Sequence, residues 1–265
     1  MNVLIVAVSY NSYKELYEFL LSVDYACKQC LLKNNITVAV ADNSIKKEYV
    51  AQRYDNIDVI YNAFDNLGYL GGASAVTNSM DVLKYDYVII SNVDITVDDD
   101  FFNHLSSLSI ASDVAWIANE IWSNAENRDR NPKILERYTK KKLKTILMLY
   151  KYPLLDWIYT NTFYRRKTSE SKFYDERDIY AGHGSFIILT KYFFSEYKKI
   201  IYPILLFGEE IYLAELIRMA NMRVSYFPRL KVYDSEHVST GEMKKGFYYK
   251  CNREAVEYII KTFYE

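Results

Sequence analysis

Carboxylates far apart in the chain stand where chemistry could use them. Asp42 closes the apolar run "ITVAVADNS" (36–44) and Asp94 closes "YVIISNVD" (87–94). Glu209 and Glu210 open the apolar-striped segment "LLFGEEIYLAEL" (205–216). A carboxylate can accept a ligand hydrogen bond, hold a hard divalent cation, or take a proton from a hydroxyl. Each also has a plain structural role, because Asp favours turns and acids in a first helical turn complement the helix dipole. Polar strand ends recur at Ser9-Tyr10-Asn11, at Asp42-Asn43-Ser44 and at Asn92-Val93-Asp94. One such end means little. Three in one sheet, on the same edge by topology, point to a ligand crevice.

The stretch "DNLGYLGGAS" (65–74) carries Asn66, Gly68, Gly71 and Gly72. These glycines either let backbone amides approach a phosphate at a helix start or serve a tight turn and helix packing. No G-x-G-x-x-G follows the first strand and no G-K-[ST] occurs, which counts against a dinucleotide oxidoreductase and a P-loop NTPase. His237, in "SEHVSTG" (235–241), sits in a polar loop.

The elements that must position these residues alternate. Val3 to Val8, 36–44, 57–62 and 85–91 read as strands, and 13–33 and 69–83 as helices. The spacing predicts further strands over 112–119, 184–189 and 222–228, and helices over 208–220 and 242–264. "DDD" (98–100) is expected to cap the next helix. Residues 120–178 show no clear strand pattern. Alternation with short connections predicts an α/β fold with a mostly parallel central sheet flanked by helices. The absence of Pro/Gly/Ser linkers argues for one domain over 1–265: a half over 1–95, a second over 96–241 with the insertion 120–178, and a C-terminal helix over 242–265.

The chain has 265 residues, half of them hydrophobic, and a net charge of −1. That allows a sizeable core and gives no basic bias for nucleic acid. "MNVLIVAVSYNS" lacks the basic start and cleavage site of a signal peptide and reads as a strand. Three cysteines, two in a helical "CKQC", fit free thiols of a reducing cytoplasm.

Taken in order, these pieces resemble family 2 glycosyltransferases with a GT-A fold, and by motif bacterial rhamnosyl-, capsule and O-antigen sugar transferases. The resemblance runs from residue 3 to residue 241 and rests on the ordered set, not on one motif. It implies an inverting transfer from a UDP- or dTDP-sugar to a glycan or lipid-linked glycan. "VSYNS" (Ser9, Tyr10, Asn11) and "VADNS" (Asp42, Asn43) would hold the base, with Asp42 accepting from an imide N–H. "NLGYLGG" (Asn66, Gly68, Gly71, Gly72) would line the sugar and diphosphate, although Ala73-Ser74 replace the family's Asn-Asn. "SNVD" stands at the metal element: Asp94 would bind a divalent cation (Mn or Mg), and Asn92 replaces a carboxylate. His237 would complete that site. Glu210, flanked by Glu209, would be the base, and Tyr212 stands where the family has a further acid.

Residues 139–167 mix lysines with Leu, Trp and Tyr. They fit either a helical flap with solvated lysines or an interfacial segment giving peripheral contact with the inner face of the cell membrane. Two other functions stay open: a sugar-phosphate nucleotidyltransferase, whose glycine-rich loop after the first strand is missing, and a non-catalytic sugar- or nucleotide-sugar-binding protein.

Overall fold

The computed structural model describes residues 1–48, 52–162, 174–235 and 243–264, without the side chains of 158–162. Its centre is the strand β1 (Asn2–Ser9), buried on both faces. Side chains alternate across a strand, so Leu4, Val6 and Val8 enter one core and Val3, Ile5 and Ala7 the other. Beside it run β2 (Asn35–Asp42), β3 (Asp58–Ala63) and β4 (Tyr87–Asn92), in the parallel order β3-β2-β1-β4. The helix α1 (Tyr13–Gln29) buries Leu16, Phe19, Leu20, Val23 and Ala26 at helical spacing, on the face of Val3 and Ile5. The helix α2 (Tyr69–Ser79) covers the opposite face.

The second half departs from the expected parallel order. Short β5 (Ile95–Val97), the helix α3 (Phe101–Ser107), long β6 (Val114–Ser123) and short β7 (Arg128–Asp129) come first. Two helices, α4 (Lys140–Lys151) and α5 (Pro153–Thr162), then precede β8 (Arg177–Ile179) and β9 (Phe186–Thr190). The helices α6 (Lys191–Glu196) and α7 (Glu209–Met219), β10 (Arg223–Asp234) and α8 (Lys245–Phe263) complete the chain. The sheet continues β4-β9-β6-β10-β5. Here β9 is antiparallel to both β4 and β6, whereas β10 is parallel to β6 and antiparallel to β5 and β8. The sheet is therefore mixed: a parallel half joined by one reversed strand to a second half.

Two local expectations change. The insertion does contain strand, because β6 runs on to Ser123: its end pairs with β10 and is tied by the Lys231–Glu120 ion pair at 2.8 Å. That pairing is set by a distant partner and leaves no local pattern. Pro228, which cannot donate to a ladder, falls in the register break of β10 between Phe227 and Lys231. Asp98–Asp100 precede α3 and make no side-chain cap to it. Asp98 instead accepts from the Asp100 N–H at 3.1 Å and from the Tyr233 hydroxyl at 3.0 Å, binding this turn to β10.

Candidate functional site

The carboxyl ends of β2, β1 and β4 lie side by side: Ser9 is in register with Asp42, and Val8 with Asn92. At the usual strand spacing Asp42 and Asn92 are about 10 Å apart along this rim. The loops beyond it are stitched together. Asn11 takes a left-handed conformation (φ 53°), its N–H donates to Ser44 Oγ at 2.8 Å, and its Oδ1 accepts from the Ile45 N–H at 3.1 Å. Asp42 is nearly covered, at 4 % exposure. Its carboxylate accepts from the Tyr13 hydroxyl at 2.8 Å and the Ser44 N–H at 2.9 Å. Tyr10 is exposed beside them, and Ser9 Oγ is buried with no hydrogen-bond partner among the described residues.

Asn43 carries the wall into the glycine loop. Its amide donates to the Gly68 carbonyl at 2.9 Å and its Oδ1 accepts from the Leu67 N–H at 3.3 Å. Asn66 Oδ1 accepts from the Gly68 N–H at 3.0 Å. Gly68 has φ 76°, and a Cβ there would lie 1.8 Å from the Leu205 carbonyl oxygen. A Cβ on Gly72 would lie 2.8 Å from Asn43 Nδ2, whereas one on Gly71 would meet only Leu67 Cβ at 3.4 Å. Gly68 and Gly72 are thus fixed by packing, and Gly71 has room.

Tyr69, just past Gly68, joins this wall to the acids. Its hydroxyl donates to the Gly184 carbonyl at 2.7 Å. Burial drives its phenol far above the ordinary range, and the charges of Glu209, Glu210 and Asp94 add to that. All three carboxylates therefore lie within electrostatic reach of one half-buried ring. Gly184 faces the acids of α7: a Cβ there would sit 3.1 Å from Glu210 Oε1 and 3.4 Å from Glu209 Cγ. The next residue, Ser185, accepts the Asn92 N–H at 2.9 Å. A short path of contacts thus runs from the end of β4 through Gly184 to the start of α7.

Electrostatics mark two of these groups. Burial, then the charge of Glu210, push the Glu209 carboxyl up to about 8, against a smaller pull from Lys133. Burial, then Asp234, push Asp94 up to about 6, with Arg130 and Asn92 among the opposing groups. Asp94 Oδ1 is buried without a hydrogen-bond partner among the described residues. An orphaned hard oxygen suits a divalent cation. Among the described residues no three His, Cys, Asp or Glu side chains form a metal-holding group. Mg²⁺-type sites often use only one or two carboxylates plus substrate phosphates, so Asp94 fits such a site. His237 lies outside the described residues. Ser235, close before it, donates its N–H to the Asp94 carbonyl at 3.0 Å.

Several residues of the site escape the sequence patterns. Arg130 donates to Asp234 at 2.6 Å. The His183 N–H donates to Asn131 Oδ1 at 2.8 Å. His183 Nδ1 lies 3.0 Å from Ser185 Oγ and 3.2 Å from the Ser185 backbone nitrogen. Burial, then Lys133, Arg130 and Arg128, hold that imidazole well below its usual value. Asp234 had a usable signal, since it too ends an apolar strand on an acid. Arg130, His183 and Tyr69 had none, because their roles come from pairing across the fold. A polar concavity of about 550 Å³, lined by Asn34, Gln52, Arg53 and Asp58 among others, lies toward the other ends of β2 and β3, away from this chemistry.

No family model matches the chain, and no curated protein matches it. Solved structures do. GalNAc-T7 with UDP, GalNAc and Mn²⁺ superposes with a TM-score of 0.62 at 12 % identity, over 99 % of this chain and 49 % of that one. TarS 1–349 of S. aureus superposes with a TM-score of 0.53 at 10 % identity, over 89 % and 60 %. Its complex with UDP-GlcNAc gives 0.56 at 9 % identity, over 99 % and 67 %. The chain spans about half to two thirds of the length of these proteins. At such identities the likeness speaks for architecture alone: a mixed sheet flanked by helices, built on the GT-A glycosyltransferase fold.

Proposed function

We propose that the chain is an inverting glycosyltransferase of the family 2 type, taking a sugar from a UDP- or dTDP-sugar to a hydroxyl of a glycan or lipid-linked glycan in surface polysaccharide synthesis. The observation that carries this is that Glu209 and Glu210 face Gly184, whose carbonyl accepts from Tyr69, while Asp94, just past the end of β4, lies within electrostatic reach of the same tyrosine. The shared fold supports it, as do the UDP, UDP-GlcNAc and Mn²⁺ bound by the neighbours.

Ser9, Tyr10, Asn11, Asp42 and Asn43 form the base pocket. Asp42 accepts from the base imide N–H, which must share that carboxylate with Tyr13. Asn66, Gly68, Gly71, Gly72 and Asn92 line the path of the diphosphate. Glu210 takes the proton of the acceptor hydroxyl while its oxygen bonds to the anomeric carbon. The bond from that carbon to the diphosphate oxygen breaks, the electron pair leaves with the nucleoside diphosphate, and the configuration inverts. A divalent cation held by Asp94 and His237 would supply charge neutralisation for the leaving diphosphate. Glu209, kept protonated at neutral pH, donates to Glu210 or to the acceptor and keeps a second negative charge out of the site.

The test is release of UDP or dTDP from its sugars, with Mn²⁺ or Mg²⁺ present or chelated, alongside thermal shifts with the free diphosphates. Expected are cation-stimulated release and a nucleotide-dependent rise in melting temperature; about 2.7 kcal/mol of stabilisation follows at a hundredfold excess over Kd. Glu210→Gln should keep the thermal shift and lose about 10²- to 10⁴-fold in turnover. No shift with either diphosphate and no release would overturn the proposal.

A further inference from the structure

We propose that the arm made by α4 and α5 is an interfacial surface that docks the protein on an anionic lipid bilayer. This goes beyond glycosyl transfer and stands on the surface itself.

One face of α4 is spoken for: Leu143, Ile146, Leu147 and Tyr150 pack with Val256, Ile259 and Ile260 of α8. At 100° per residue, Lys144, Met148 and Lys141 fall on the face turned away from that contact, and Lys140 and Lys151 flank it. All five side chains are exposed. Among the described residues Lys140, Lys141 and Lys144 join no ion pair, so their charge is uncompensated along the arm. Beyond the turn at Tyr152, α5 exposes Leu154 (70 %), Leu155 and Trp157 (64 %). The acid of this segment, Asp156, accepts from the Tyr249 hydroxyl at 2.7 Å and clamps α5 to α8. Lysines beside exposed Leu, Met and Trp suit one surface above others: anionic headgroups over acyl chains, with Trp at the boundary. The positive sign selects a negatively charged partner. No helix among the described residues is long and apolar enough to cross a membrane, so the arm lies on the bilayer.

The arm is also coupled to the site. The Tyr150 ring meets Tyr248 edge-on at 6.2 Å, and Tyr248 meets Phe207 at 5.3 Å. Phe207 immediately precedes Gly208 and the two acids of α7.

Co-sedimentation with vesicles tests this with the intact protein. The vesicles are phosphatidylcholine alone, or with about one third phosphatidylglycerol, each at low and high salt. The expected result is pelleting with the anionic vesicles only, weakened by salt. Lys140→Glu/Lys141→Glu/Lys144→Glu should weaken it about a hundredfold or more, since each surface lysine adds roughly fivefold. Leu154→Ser/Trp157→Ser should abolish the salt-resistant part. A blue shift of Trp emission on binding should vanish in Trp157→Phe. Because the three lysines are exposed and join no ion pair among the described residues, the melting temperature and nucleotide-induced shift of their reversal should stay parental, which separates this test from that of glycosyl transfer. Equal pelleting with neutral vesicles, no effect of the lysine reversals, or a dimer that Leu154→Ser/Trp157→Ser dissolves without any vesicle binding would each overturn the proposal. The last would make a second copy the occupant.

Discussion

Two adjacent carboxylates at the foot of α7 repel each other, and burial together with the charge of Glu210 raises the Glu209 carboxyl. Its value of about 8 exceeds the 4.5 of a free glutamate. Between those values the folded chain binds more protons than the unfolded one, so this group's contribution to stability is greatest in acid and is lost as pH rises through the window. Glu209→Gln should therefore melt near the parental temperature at about pH 5 and above it at about pH 8.5, checked by calorimetry across that range. Asp94 behaves alike with a lower ceiling, about 6. A cation must displace that proton. The rise in melting temperature produced by MnCl₂ should grow between about pH 5 and pH 7.5 and be absent in Asp94→Ala. A rise that ignores both pH and the substitution would remove Asp94 from the proposed metal site.

The loop from β3 to α2 and the first turn of α2 separate packing from the proposed ligand contact within four residues. A side chain on Gly68 meets the backbone of Leu205 and needs a strained φ. Gly68→Ala should cost about 3 kcal/mol in urea denaturation. Gly71 lies in the first turn of α2, where a Cβ would make only an ordinary contact with Leu67 Cβ at 3.4 Å. Gly71→Ala should add about 0.5–1 kcal/mol through helix propensity while weakening nucleotide diphosphate binding, if its backbone faces the ligand as proposed. A variant that gains stability and keeps full affinity would return Gly71 to a purely structural role. These strands and helices were legible where one local rule decides them. Buried on both faces, β1, β2 and β4 read as continuous apolar runs, and α1 and α8 show their stripes. The reversed β9 reads as a strand but carries no sign of its direction, because periodicity is the same in either sense. Tiny β5, β7 and β8 exist only because β10 and β6 offer ladders to them. The acids at strand ends were visible for the same local reason, whereas Tyr69 and Arg130 act through partners 115 and 104 positions away.

At the scale of the whole molecule, one buried acid ties the insertion, α7 and the C-terminus together. Glu215, at 0 % exposure, accepts from Arg137 at 2.6 Å, Arg218 at 2.9 Å and Tyr180 at 2.7 Å. Arg137 also donates to the Phe263 carbonyl and lies over the Tyr264 ring. Burial alone would raise this carboxyl, but the three donors outweigh it and hold it below its usual value. Its stabilisation is therefore present above about 4.5 and is lost as pH falls through the lower folded value. Glu215→Ala should cost about 2–3 kcal/mol at neutral pH, toward the low end for a buried pair because both arginines reach solvent, and the deficit should shrink in acid. Denaturation curves at two pH values check both parts.

The reversed strand has a consequence for how the chain is born. On the ribosome β1 to β4 emerge first, yet β9, which closes the flank of β4, begins only at Phe186. At ordinary elongation rates that delay is on the order of ten seconds. Throughout it, Val88, Ile89 and Ile90 offer unpaired backbone to any neighbouring nascent chain. The native sheet is thus safest when nascent chains are dilute, and overexpression should drive this polypeptide toward inclusion bodies, read as a rising insoluble fraction.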